Sequence, residues 1–68
     1  MTAISKVKQT LATLKGAEST LRMYYVQEQN KEAKSIYFDS LKEINNINME
    51  LDKRIGAMEL EEPQYKGN

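Results

Sequence analysis

An all-α fold, two helices turned back on one another as an antiparallel hairpin, follows from three features of this chain. Apolar residues recur at three- and four-residue steps through two blocks. Ile4, Val7, Leu11, Leu14, Leu21 and Tyr25 mark the first, and Ala33, Tyr37, Ile44, Ile47, Leu51 and Met58 the second. Such spacing puts a stripe on one side of a helix, and the stripe must be buried against a partner. A break at Asn30 and Lys31 separates the blocks, short enough to force adjacent helices to fold back. Charge is the third feature. Lys6, Lys8 and Lys15 sit early in the chain and Glu59, Glu61 and Glu62 late. Each cluster is at the unfavourable end of its own helix dipole, and an antiparallel hairpin brings the two together.

The first helix is expected over about residues 3–28. Thr2 can cap it by accepting a hydrogen bond from the Ser5 backbone N–H. Gly16 costs about 1 kcal/mol relative to Ala within it, and marks a candidate close approach. Asn30 is a good N-cap for a second helix over about 31–62, where Glu32 in the first turn suits the dipole. Pro63 disfavours helical geometry in the residue before it and ends that helix. The chain thus divides into a hairpin over residues 1–62 and a tail over 63–68.

With the turn centred near Gln29 and Asn30, the facing layers become Tyr25 with Ala33, Leu21 with Tyr37, Leu14 with Ile44, Leu11 with Ile47, Val7 with Leu51 and Ile4 with Ile55. Glu18 then falls opposite Ser40 and Leu41. A seam carboxylate is costly unless paired, and Lys15 and Arg22 lie at helical spacing from it. The sharper reading is a polar contact that sets register across a dimer. Asn48 is a candidate for fixing register at the edge of the seam, whereas Asn45 and Asn46 read as solvated.

At 68 residues, with no Cys and no His, the chain lacks the disulfides and zinc ligands that staple small domains. Including Ile36, Leu41 and Ile55, the apolar surface of the second helix spans about 140°, more than a two-helix seam covers. Self-association into a homodimeric four-helix bundle is therefore expected, with Leu14, Leu21, Tyr37, Ile44, Ile47 and Leu51 as its interface. Phe38, Met49 and Leu60, eleven residues apart, form a narrow ridge off that face. Phe38 and Met49, with Pro63, Tyr65 and Lys66 of the tail, are candidate partner contacts. Tyr24, Tyr25, Tyr37 and Phe38 gather near the turn as core caps, with an apolar ligand site as the sharper reading.

Ten Lys and Arg balance ten Asp and Glu, so no net field attracts nucleic acid. With no Gly-rich phosphate loop and no nucleophilic Ser context, the expectation is a non-enzymatic protein with no catalytic residues, no cofactor and no metal site. No apolar run approaches the roughly 18 residues of a bilayer span, and Lys6 and Lys8 interrupt any leader-like core. The chain reads as soluble and cytoplasmic. The alternative is a peripheral membrane module that lays its basic first helix on anionic lipid.

Several segments together carry a family resemblance. Val7-Lys8-Gln9-Thr10-Leu11-Ala12, Leu14-Lys15-Gly16, Glu32-Ala33-Lys34 and above all Glu61-Glu62-Pro63-Gln64-Tyr65-Lys66-Gly67 resemble a family of short proteins from endospore-forming bacteria, domain of unknown function 1657. Asn68 stands where family members typically carry an aromatic. The resemblance implies a sporulation setting in the forespore or spore, because genes of the family often neighbour those for the channel that moves dipicolinic acid. It implies a spore membrane protein as a candidate partner, and the spore inner membrane as the surface for the membrane alternative. It carries over no catalytic residue.

Overall fold

A computed structural model describes residues 3–61. Two helices make up that stretch, α1 (Ala3–Gln27) and α2 (Lys31–Glu61), and they pack side by side as an antiparallel hairpin. Among the described residues there is no strand. Thr2 and residues 62–68, hence the expected cap and the Pro63, Tyr65 and Lys66 contacts, lie outside them.

Local chemistry accounts for the break. The Glu28 N–H donates to the Tyr24 carbonyl at 2.9 Å, closing the last turn of α1. Asn30 then caps α2: its side-chain oxygen accepts from the Ala33 N–H and its carbonyl from the Lys34 N–H, both at 2.9 Å. The Glu28 carboxylate accepts the Asn30 N–H at 3.1 Å, so the turn is tied from both sides. Along the outer side of α1, the hydroxyls of Thr10, Thr13 and Thr20 donate to the carbonyls of Lys6, Gln9 and Gly16 one turn earlier. Such back-bonding lets threonine sit within a helix.

Three kinds of contact follow one another along the seam. Furthest from the turn, Ile4, Leu11 and Ile55 are buried as one apolar cluster, with Val7, Leu51 and Met58 packed on it. Glu18 occupies the middle, in contact with Asn45 and Asn48. Nearest the turn the rings pair, Tyr24 with Tyr37 and Tyr25 with Phe38, each at 5.9 Å between centroids. Lys8 meets Glu59 at 3.1 Å, the compensation between charge clusters that an antiparallel hairpin requires.

The register differs from the layers that apolar spacing suggests. Glu18 meets Asn45 and Asn48 rather than Ser40 and Leu41, so it lies one to two turns further along α2. Leu11 packs in the cluster that contains Ile55, while Ile47, its expected partner, is exposed. The reason is electrostatic. Opposite Ser40 and Leu41 the carboxylate would lose water and meet one hydroxyl donor, whereas opposite the two asparagines it receives two amide N–H groups.

Gly16 does not mark a close approach either. A Cβ built there, or at Gly56, meets nothing within 4 Å. Gly16→Ala is expected to raise stability by about 1 kcal/mol, read from urea unfolding followed by circular dichroism. In the same assay Ile55→Ala should cost about 2–5 kcal/mol, since it opens a cavity in the cluster. No change on Ile55→Ala would contradict the packing described.

Candidate interaction surface

Glu18 is held by three donors. Asn48 Nδ2 donates to its Oε1 at 2.8 Å, while Arg22 and Asn45 Nδ2 donate to Oε2 at 3.0 and 3.3 Å. The Arg22 pairing is the one helical spacing suggests; the contacts to Asn45 and Asn48 cross the seam within one hairpin rather than between two. Asn45 escapes a reading by periodicity because it lies beside the apolar stripe. The recognisable signal is its three-residue spacing from Asn48, which puts both amides on one edge of α2.

These contacts hold the Glu18 carboxyl below the ordinary glutamate range. The Asn48 amide lowers it most and Asn45 next; desolvation at the seam opposes them, and Arg22 adds to the lowering. Asn48 itself is 5% exposed, and its side-chain oxygen is buried without a hydrogen-bond partner. An asparagine that leaves one polar atom unsatisfied gives up stability relative to an apolar residue. It gains a contact that only one alignment of the helices can make.

The polar contacts collect on one edge of the hairpin. Lys15, Glu18, Asn45, Asn48, Met49 and Asp52 border one surface groove there, and Arg22, Tyr25, Phe38, Leu41, Lys42 and Asn45 border the next, so apolar side chains share that edge. Helical spacing of about 100° per residue turns Ile36 and Ile47 away from that edge, to the opposite side of α2. Ile36 is 65% exposed and Ile47 50%. Ile44 and Leu51 lie between them and the seam, with Tyr37 at the seam and Leu14 and Leu21 across it on α1. Leu14, Leu21, Tyr37, Ile44 and Leu51 are all half-buried. The result is an apolar face interrupted by Ser40 and Glu43 between Ile36 and Ile47, with Asn46, Glu50 and Arg54 beside Ile47.

The ridge of Phe38, Met49 and Leu60 is also exposed, on the polar edge. There Phe38 is partly occupied, with the Lys42 ammonium 5.6 Å from its ring centroid and Tyr25 against it. Lys34 lies 4.7 Å over Tyr25. The four rings form two separate pairs rather than one cluster, and the hollow bordered by Tyr25, Lys31, Lys34 and Phe38 is an open surface groove. Among the described residues, no three acidic side chains gather closely enough to hold a metal ion, and no helix is long and apolar enough to cross a membrane.

This architecture defines a small all-helical hairpin protein with exposed apolar side chains on both edges, Ile36 and Ile47 on one and Phe38, Met49 and Leu60 on the other. The chain belongs to the family described as Protein of unknown function (DUF1657), whose model matches residues 7–55. That stretch includes most of the seam, from Val7 to Ile55. No curated protein and no solved structure matches the chain.

Because the folded state lowers the Glu18 pKa, its contribution to stability is present above the unfolded value and lost as pH falls through the folded one. Unfolding titrations should show wild type more stable than Glu18→Gln at neutral pH. The gap should close once pH drops below the ordinary glutamate value of about 4.3. A gap independent of pH would rule out a charged carboxylate as the group that receives the amides.

Proposed function

We propose that this chain is a small non-enzymatic interaction protein, working within a helical assembly in a sporulation or spore setting. The observation that supports this reading is the uncovered apolar face, with Ile36 and Ile47 open to solvent beside half-buried Ile44 and Leu51. Uncovered apolar surface of this kind marks a binding site more often than it serves a monomer. The setting is drawn from what the family resemblance implies. A spore membrane protein is a candidate partner on the same ground.

The membrane alternative has less in its favour. Lys8, one of the three lysines that make α1 basic, is engaged by Glu59 inside the hairpin and is not a free cation for a lipid headgroup. Charged residues on or beside the apolar face include Glu43, Glu50 and Arg54, a set that is mostly acidic and unsuited to anionic lipid.

Affinity capture from sporulating cells tests the proposal, comparing wild type, Ile47→Lys and a chain cut after Glu62. The expected result is a specific partner set that Ile47→Lys loses, and the set lost by the shortened chain reports the contribution of Pro63, Tyr65 and Lys66. Flotation with anionic vesicles separates the alternative, which requires binding that weakens with salt. Identical recovery by wild type and Ile47→Lys would count against the apolar face as the working surface.

A further inference from the structure

Resting on that reading, we infer that the apolar face is covered by a second copy of this chain, giving a four-helix bundle with the Glu18 edge on its outside. Three observations favour this occupant. The first is layer count. The hairpin measures 49 × 17 × 13 Å, a single layer of two helices, and its radius of gyration of 15.2 Å exceeds the roughly 11 Å of a compact domain this size. Stable domains need at least two packed layers around one core. A copy of the hairpin supplies a second layer of equal length and width.

Area is the second. An apolar run about 33 Å long on a hairpin 17 Å wide gives a footprint on the order of 560 Å² per copy, near the lower bound for a specific interface. Along α2 the apolar run from Ile36 through Ile47 to Met58 extends about 33 Å, so it fits a helix pair laid lengthwise better than a compact ligand.

Charge is the third. The chain carries ten basic and ten acidic residues, so two copies approach without net repulsion. The strip of Ile44, Ile47 and Leu51 is uncharged, which calls for a partner surface that is itself uncharged and apolar. The same strip on a second copy meets that description, and a two-fold axis sets it against itself residue for residue. Arg54 shares the side of α2 that carries Ile36, and its pairing with Glu50, at 3.2 Å, offsets its charge there. On this assignment Ile36 and Ile47 enter the bundle core, and the half-burial of Leu14, Leu21, Ile44 and Leu51 becomes full burial.

Sedimentation equilibrium of the full chain, with helicity measured at the same concentrations, tests the assignment. Wild type is expected at twice the 7.8 kDa of one chain at micromolar concentration. Ile47→Lys and Ile36→Gln should weaken the dimer at least about ten-fold, as loss of a central anchor does. Met49→Lys, on the polar edge, should leave it within about two-fold. Both isoleucines are exposed in the lone hairpin, so an Ile47→Lys chain that unfolds where Met49→Lys stays helical supports the same face. Wild-type chains that remain helical and monomeric overturn self-association. In that case capture lost on Ile47→Lys keeps the interaction reading with another protein, and vesicle binding lost on Ile47→Lys assigns the face to lipid.

Discussion

One carboxylate in the middle of the seam aligns the two helices. Apolar contacts are non-directional, so a stripe of leucines and isoleucines accepts another stripe at several offsets with little difference in energy. Glu18 does not have that freedom. It sits at 15% side-chain exposure, too covered to be left to water, and its donors must come from specific positions. Asn48 and Asn45 supply them on one edge of α2 and Arg22 from its own helix. In the same alignment Lys8 meets Glu59 and the cluster of Ile4, Leu11 and Ile55 packs at the far end.

The same contacts decide what remains uncovered. With Glu18, Asn45 and Asn48 gathered at one edge, that edge carries amides and charges. The other side keeps Ile36 and Ile47 in the open. A different offset would change which residues flank the seam, and with them the shape of the apolar face. Register is therefore the link between the internal chemistry of the hairpin and its association chemistry. Buried polar groups that select one alignment at some cost in stability are well attested in helical assemblies.

What the sequence made legible was local. The two helices follow from apolar period, and the break between them and the Asn30 cap from side-chain chemistry, because each depends on residues a few positions apart. The proximity of Lys8 to Glu59 needed only the direction of the second helix. Register was hidden because layers summed from apolar residues alone score a slip of one or two turns almost equally well. Asn45 was hidden for the same reason, as a polar residue beside the stripe. Gly16 suggested close packing, but a helical glycine looks the same in sequence whether it faces a neighbour or solvent. The aromatic group near the turn was visible as composition, yet its division into two pairs depends on the angle at which the helices meet.

Contact between Glu18 and Asn48 across the seam is what fixes the alignment of the two helices. Nuclear Overhauser measurements on isotopically labelled protein at neutral pH address it without altering a residue. Cross-peaks are expected from the Asn48 side-chain amide protons to the Glu18 methylene protons, with those amide protons slow to exchange with water. An Asn48 amide in free exchange, together with cross-peaks that put Glu18 beside Ser40, would contradict that contact and return the hairpin to the alignment its apolar spacing suggests.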